Sequence, residues 1–138
     1  MPTHGPDYIE KRDGCPLCQR GHIWESAHWR LIMDWRPVTL GHALLIPREH
    51  RDWMVSKDSS GLTTGELDDL GPALSAAIRT IAGLYGVDAM NVGINIGETA
   101  GQSIGHAHIH IMPRRIDDGG VGRGGVRRVF PERGGYTP

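Results

Sequence analysis

The hydrophobic pattern of this chain switches between a period of two and a period near 3.6, and the switches divide it into elements. His22 to Glu25 and Trp29 to Trp35 are short apolar and aromatic runs on either side of Ser26-Ala27, which predicts a hairpin of two strands. His42 to Ile46 is almost continuously apolar between Gly41 and Pro47, as suits a central strand. Thr63-x-x-Glu66 then forms a capping box, and Leu67, Leu70, Leu74, Ala77, Ile78, Ile81 and Leu84 recur at helical spacing, ending at Gly86. Pro72 falls inside this run and predicts a kink or break near Gly71.

Alternation returns at Met90 to Ile96, where Val92, Ile94 and Ile96 oppose Asn91, Gly93 and Asn95. A glycine-rich loop, Gly97 to Gly101, turns this strand back into a second one, His106-Ala107-His108-Ile109-His110-Ile111, as an antiparallel hairpin. Three imidazoles share one face of that strand and predict one wall of a site, while the apolar residues enter a core. Beyond Pro113 the chain is rich in Arg and Gly, and only Gly125 to Phe130 has a strand-like pattern. The elements sum to an α+β fold, an antiparallel sheet of about five strands with one main helix packed on it. Residues 1–14 read as a flexible leader, 15–114 as the domain and 115–138 as a tail.

Composition narrows the function without choosing it. At 138 residues the chain suits one core, and 15 basic against 16 acidic residues leave a net charge of -1, so no basic field points to nucleic acid. No apolar run is long enough for a membrane helix and no secretory signal is visible, which makes a cytoplasmic protein the expectation. Cys15 and Cys18 are the two cysteines. In a reducing compartment that spacing reads as half a zinc site or a redox pair sooner than as a structural disulfide.

The chemistry concentrates in Gly101 to Arg114, GQSIGHAHIHIMPR. Gly101 lets a backbone approach a ligand, Gln102 and Ser103 add an amide and a hydroxyl, and the imidazoles follow, a set that suits a phosphate better than a metal alone. This stretch resembles the histidine-triad family of nucleotide hydrolases and transferases, whose signature is His-x-His-x-His followed by two apolar residues, here HAHIHIM. The match extends through Asn95, Gln102 and Ser103 upstream and Pro113-Arg114 downstream.

That resemblance implies a set of roles. His108, the middle histidine, would attack the α-phosphorus of a nucleoside phosphate derivative and carry the nucleotide covalently until water releases it. His110 would contact a phosphoryl oxygen, and Asn95, Gln102 and Ser103 would hold other oxygens or place the leaving group. Asp34 would hold the ribose hydroxyls, Ile32 and Trp35 could flank the base, and His42 would support the hydrogen bonding of the triad.

A branch of the superfamily related to the dinucleoside polyphosphate hydrolases completes a structural zinc site with two histidines. Here those are His50 and His106, joining Cys15 and Cys18, and no catalytic cofactor is expected. The implied partners are a nucleotide and a second copy of the chain in a homodimer. Two other functions remain compatible with these residues: a non-catalytic nucleotide-binding or zinc-stabilised interaction module, and a phosphorylase of dinucleoside polyphosphates.

Overall fold

A computed structural model describes residues 14–18, 20–57 and 60–133. The leader expected at 1–14 lies almost wholly outside them. Five strands form one antiparallel sheet: β1 (Trp24–Glu25), β2 (Trp29–Met33), β3 (Ala43–Pro47), β4 (Met90–Gly93) and β5 (Ile109–Pro113), in the spatial order β1-β2-β3-β5-β4. One long helix, α1 (Thr64–Tyr85), crosses between β3 and β4. The α+β class and the strand number agree with the pattern of the sequence. Among the described residues, no helix is long and apolar enough to cross a membrane.

Alternation along the strands sorts side chains onto two faces. Trp29, Leu31, Ala43, Leu45, Ile109 and Ile111 face α1, where they meet Ala73, Ala77 and Ile81. The opposite face carries Ile32, Leu44 and Ile46, which pack with Cys15 and Leu17. His110 is paired with Leu44 in the ladder and so belongs to this second face. The residues that build the core on one side therefore aim the chemistry to the other.

α1 starts as its capping box requires. The Thr63 N–H donates to Glu66 Oε1 at 2.7 Å and the Glu66 N–H to Thr63 Oγ1 at 3.1 Å. Glu66 is buried, and Arg51 at 3.2 Å pairs with its carboxylate. The indole N–H of Trp29 donates to the Glu66 carbonyl at 2.8 Å, pinning the helix start to β2. The helix ends where Gly86 takes a left-handed conformation, φ 63°, and its N–H bonds the Ala82 carbonyl.

Several expectations are corrected. α1 runs unbroken through Pro72. Pro72 and Asp68, whose carbonyl loses its N–H partner, are both exposed, so water can satisfy that carbonyl while Ala73, Ala77 and Ile81 hold the helix down. The buried stripe centres on those three residues, and Leu67 and Leu84 are exposed instead. Leu70 and Leu74 flank that stripe, half-buried against the core.

The strands are also shorter than their patterns. β1 keeps only Trp24–Glu25, β2 stops at Met33, and β4 stops at Gly93, leaving Ile94 and Ile96 partly exposed. Gly125–Val129 is a short 3-10 helix and not a strand. Two successive left-handed glycines, Gly124 at φ 89° and Gly125 at φ 52°, turn the chain there and prevent an extended run.

Candidate active site

On the face away from α1 the sheet forms the floor of a cavity of about 690 Å³. Asp34, His42, Asn95, Ser103, His108 and His110 all line it, as do Trp35 and Arg20. Four stretches deliver them: the segment after the cysteines, the end of β2 and the loop after it, the turn before β3, and the chain from Asn95 into β5. Gly101, at φ 100°, also lines the cavity, a backbone conformation that a side chain would strain.

Hydrogen-bond partners decide the tautomer of each imidazole. His108 Nδ1 is 2.7 Å from the His106 carbonyl, which can only accept, so Nδ1 carries the proton and Nε2 keeps its lone pair. His42 Nδ1 accepts from the Val38 N–H at 3.1 Å, so its proton is on Nε2. His42 Nε2 in turn lies 2.9 Å from His110 Nδ1, which must accept, leaving the His110 proton on Nε2. His42 Nδ1 and His110 Nδ1 spend their lone pairs on these bonds, so the His108 Nε2 lone pair is the one left over among the three rings, beside an imidazole N–H donor on His110.

Electrostatics keep the second ring neutral. Burial, then the neighbouring His108 and His42, lower His110 to about 4, with Asp34 pulling the other way. Burial also lowers His42, opposed by Asp34, whose Oδ2 is 3.3 Å from His42 Nε2. Asp34 Oδ1 accepts from the Arg36 N–H at 2.8 Å. The Asp34 carboxylate and His110 Nδ1 thus both face the single proton on His42 Nε2, and the shorter contact is to His110.

His106 departs from the expected single wall. β5 begins at Ile109, because the Ala107 N–H donates to the Arg51 carbonyl at 2.7 Å rather than to β3. His106 is fully buried outside the cavity lining, and its Nε2 donates to the Pro47 carbonyl at 3.0 Å. That bond leaves Nδ1 as a lone pair, 3.4 Å from Cys18 Sγ and 3.6 Å from Cys15 Sγ. His50 Nδ1 is 3.2 Å from Cys18 Sγ.

Cys15, Cys18, His50 and His106 have ligand atoms within 4.8 Å of one another. In a tetrahedral zinc site the S···N edge is about 3.6 Å from ordinary bond lengths. The spacings match that edge, and the donor set of two thiolates and two imidazoles suits zinc. Asp34, His42 and His110 also cluster, but His42 spends its Nδ1 lone pair on the Val38 N–H and its Nε2 proton on His110, so its ring has no lone pair to offer a metal.

Two residues expected in the site lie elsewhere. Gln102 is buried outside the cavity lining: Oε1 accepts from Gly97 N–H at 2.8 Å, and Nε2 donates to Asp52 Oδ1 at 2.8 Å and to the Ile104 carbonyl at 2.9 Å. Its amide is engaged in shaping the loop that presents Ser103, which is exposed in the cavity. Ile32 is fully buried in the core of this face and cannot flank a base. Arg20 went unnoticed in the sequence, since an arginine two residues past a cysteine carries no local signal. Neither did anything mark Arg30, whose Nη atoms bind the Leu17 and Arg20 carbonyls at 3.0 and 3.2 Å and hold the cysteine loop to β2.

Comparison with known proteins bears on this geometry. The model of the HIT domain family matches residues 19–117. An uncharacterized HIT-like protein of Mycobacterium tuberculosis is 30% identical over 80% of this chain and 74% of its own length. A bis(5'-nucleosyl)-tetraphosphatase (asymmetrical) of Schizosaccharomyces pombe is 36% identical over 63% of this chain and 45% of its own. A solved HIT-family protein from Bacillus subtilis superposes with a TM-score of 0.65 at 29% identity, covering 79% of each chain.

Proposed function

The chain belongs to the HIT domain family, and from that premise we propose that it is a nucleotide hydrolase or transferase working through a covalent nucleotidyl-histidine on His108. The observation that carries the reading is the 2.7 Å bond from His108 Nδ1 to the His106 carbonyl, two residues back along the chain. It holds the ring in the tautomer a nucleophile needs, with Nε2 unprotonated in a cavity of nucleotide size.

In the proposed first step the Nε2 lone pair of His108 attacks the α-phosphorus, a P–N bond forms, and the bond to the leaving group breaks with its electrons. The His110 Nε2–H donates to a non-bridging oxygen as charge gathers there, and the Ser103 hydroxyl and Asn95 amide supply further donors. Water then attacks the same phosphorus and gives up one proton to solvent, the P–N bond breaks with its electrons returning to Nε2, and the nucleoside monophosphate leaves with His108 restored. Asp34 would receive the ribose hydroxyls through the lone pairs left by Arg36 N–H and His42. Zinc held by Cys15, Cys18, His50 and His106 would be structural, since four protein ligands leave no open position for substrate.

The test is intact-mass spectrometry of the protein quenched during turnover of an adenosine phosphoramidate and of diadenosine tetraphosphate, with and without phosphate. A nucleotidyl adduct on the wild-type chain, absent in His108→Asn, is expected. Hydrolysis by His108→Asn at the wild-type rate would overturn the mechanism. Nucleoside diphosphate appearing only with phosphate would make the protein a phosphorylase, and binding without any product would make it a non-catalytic module.

A further inference from the structure

We propose, resting on the reading of the cavity as a nucleotide site, that Arg20 and Trp35 select a 6-oxopurine base, guanine or hypoxanthine, over adenine. Trp35 lines the cavity and is 48% exposed, a large π surface in a lining that also holds Leu17, Met33 and Val38 and the charged Asp34 and Arg36. The Arg20 guanidinium lies over that ring, 5.7 Å from its centroid. It is held there at both ends: Nη2 donates to the Met33 carbonyl at 2.8 Å, and the Arg20 carbonyl accepts from Arg30 Nη1 at 3.2 Å.

The position of Asp34 separates Arg20 and the imidazoles by task. Asp34 touches His42 and, through it, His110, so the phosphate chemistry lies on that side. Arg20 touches instead Met33 and Trp35, where the cavity offers an aromatic surface to a planar base. At 5.7 Å from the centroid the guanidinium is offset from the ring centre, and a base stacked on the remaining indole face would meet its edge.

Guanine and hypoxanthine present two adjacent acceptors, O6 and N7, which the planar fork of an arginine fits in a bidentate pair. Adenine presents N7 beside an amino donor, so one N–H of the fork would face another N–H. Lysine carries a charge without the fork and cannot make the same distinction.

Guanosine and inosine monophosphates are therefore expected to bind more tightly than adenosine monophosphate, on the order of tenfold. Affinity is read by titration of indole fluorescence and checked by calorimetry. In Arg20→Lys and in Arg20→Ala the ratio between GMP and AMP should collapse toward one. If Arg20 only braced the end of β2, both nucleotides would weaken together and the ratio would stay fixed. Equal affinity for GMP and AMP in the wild-type chain, or a preference that survives both substitutions, would overturn the inference alone. Failure of every nucleotide to bind would overturn the nucleotide reading and this inference with it.

Discussion

Removing the imidazole of His42 isolates what the hydrogen-bond chain contributes to turnover. His42 receives the Val38 N–H on Nδ1 and gives its Nε2 proton to His110 Nδ1 at 2.9 Å, so it dictates which nitrogen of His110 carries hydrogen. In His42→Ala the buried acceptor on His110 loses its partner, and either tautomer becomes accessible. An unpaired buried acceptor costs about 1–3 kcal/mol. If that cost falls on the transition state, where the His110 N–H meets developing charge, kcat drops by roughly five- to 150-fold. KM should change little, because the ring donates most strongly when the phosphoryl oxygen is most negative.

The assay is steady-state hydrolysis of a fluorogenic nucleoside phosphoramidate, with far-ultraviolet dichroism to confirm that the variant is folded. A rescue arm sharpens it: the amide nitrogen of glutamine reaches about where Nε2 stood, so His42→Gln should recover part of the loss, while His42→Leu should not. Since His42 also lowers His110 through its charge, His42→Ala should raise the pH at which His110 becomes protonated and move the acid limb of the rate profile upward. A kcat within twofold of wild type in His42→Ala, or a loss equal in the Gln and Leu variants, would refute the relay.

Four further outcomes follow from the coordinates. Gly41 has φ 92° and a Cβ there would meet the Tyr85 ring at 2.8 Å, so Gly41→Ala should lose about 1–3 kcal/mol in urea unfolding and displace the adjacent His42. Pro72→Ala restores an N–H in an exposed stretch of α1 and should raise the urea midpoint by the equivalent of about 1–2 kcal/mol. His110 has its pKa lowered to about 4 in the fold, so the unfolded chain binds more protons between there and its ordinary value near 6.5. Stability should then be full above that window and decline as pH falls through it, and His110→Gln should flatten the slope. Chelation should release one metal per chain and lower both the melting temperature and nucleotide affinity, since Leu17, between the two cysteines, lines the cavity; an unchanged melting temperature would refute a structural metal.

The architecture could be read from the sequence because its strands either alternate or, at β3, form a short apolar run between Gly41 and Pro47, and its helix has explicit signals at both ends. Thr63, Glu66 and Gly86 act through local hydrogen bonds, which a sequence records directly. What escaped depends on contacts distant along the chain. The Gln102 amide is taken by Asp52, 50 residues away, and by nearby backbone, and no pattern around Gln102 announces that partner. Ile32 is withdrawn from the cavity by packing with Leu44, Ile46 and the cysteine loop, a consequence of which face that loop covers. Arg20 enters the cavity for the same reason, carried in by a segment whose placement is set by Arg30 and by Cys15 and Cys18.

The three histidines illustrate why a repeat of identical residues need not be a repeat of roles. All three obey the period of two, yet each has a different carbonyl or nitrogen opposite one side of its ring, and that partner alone determines what the other side can do. His106 gives Nε2–H to Pro47 and so turns a lone pair on Nδ1 toward two thiols. His108 gives Nδ1–H to His106 and keeps a lone pair on Nε2. His110 accepts from His42 and keeps an N–H. On the proposed reading, a ligand, a nucleophile and a donor would arise from one side chain because the backbone leaves the ladder just before β5. Were Ala107 bonded to β3 instead of Arg51, the Pro47 carbonyl would lose its place opposite His106 and the first of these roles would vanish. Substituting Ala107 with proline, which deletes that N–H, should therefore loosen metal binding before it alters the tautomer of His110. Metal affinity and the acid limb of the rate profile measure the two effects separately, and a simultaneous collapse of both would show that the rings are not set independently.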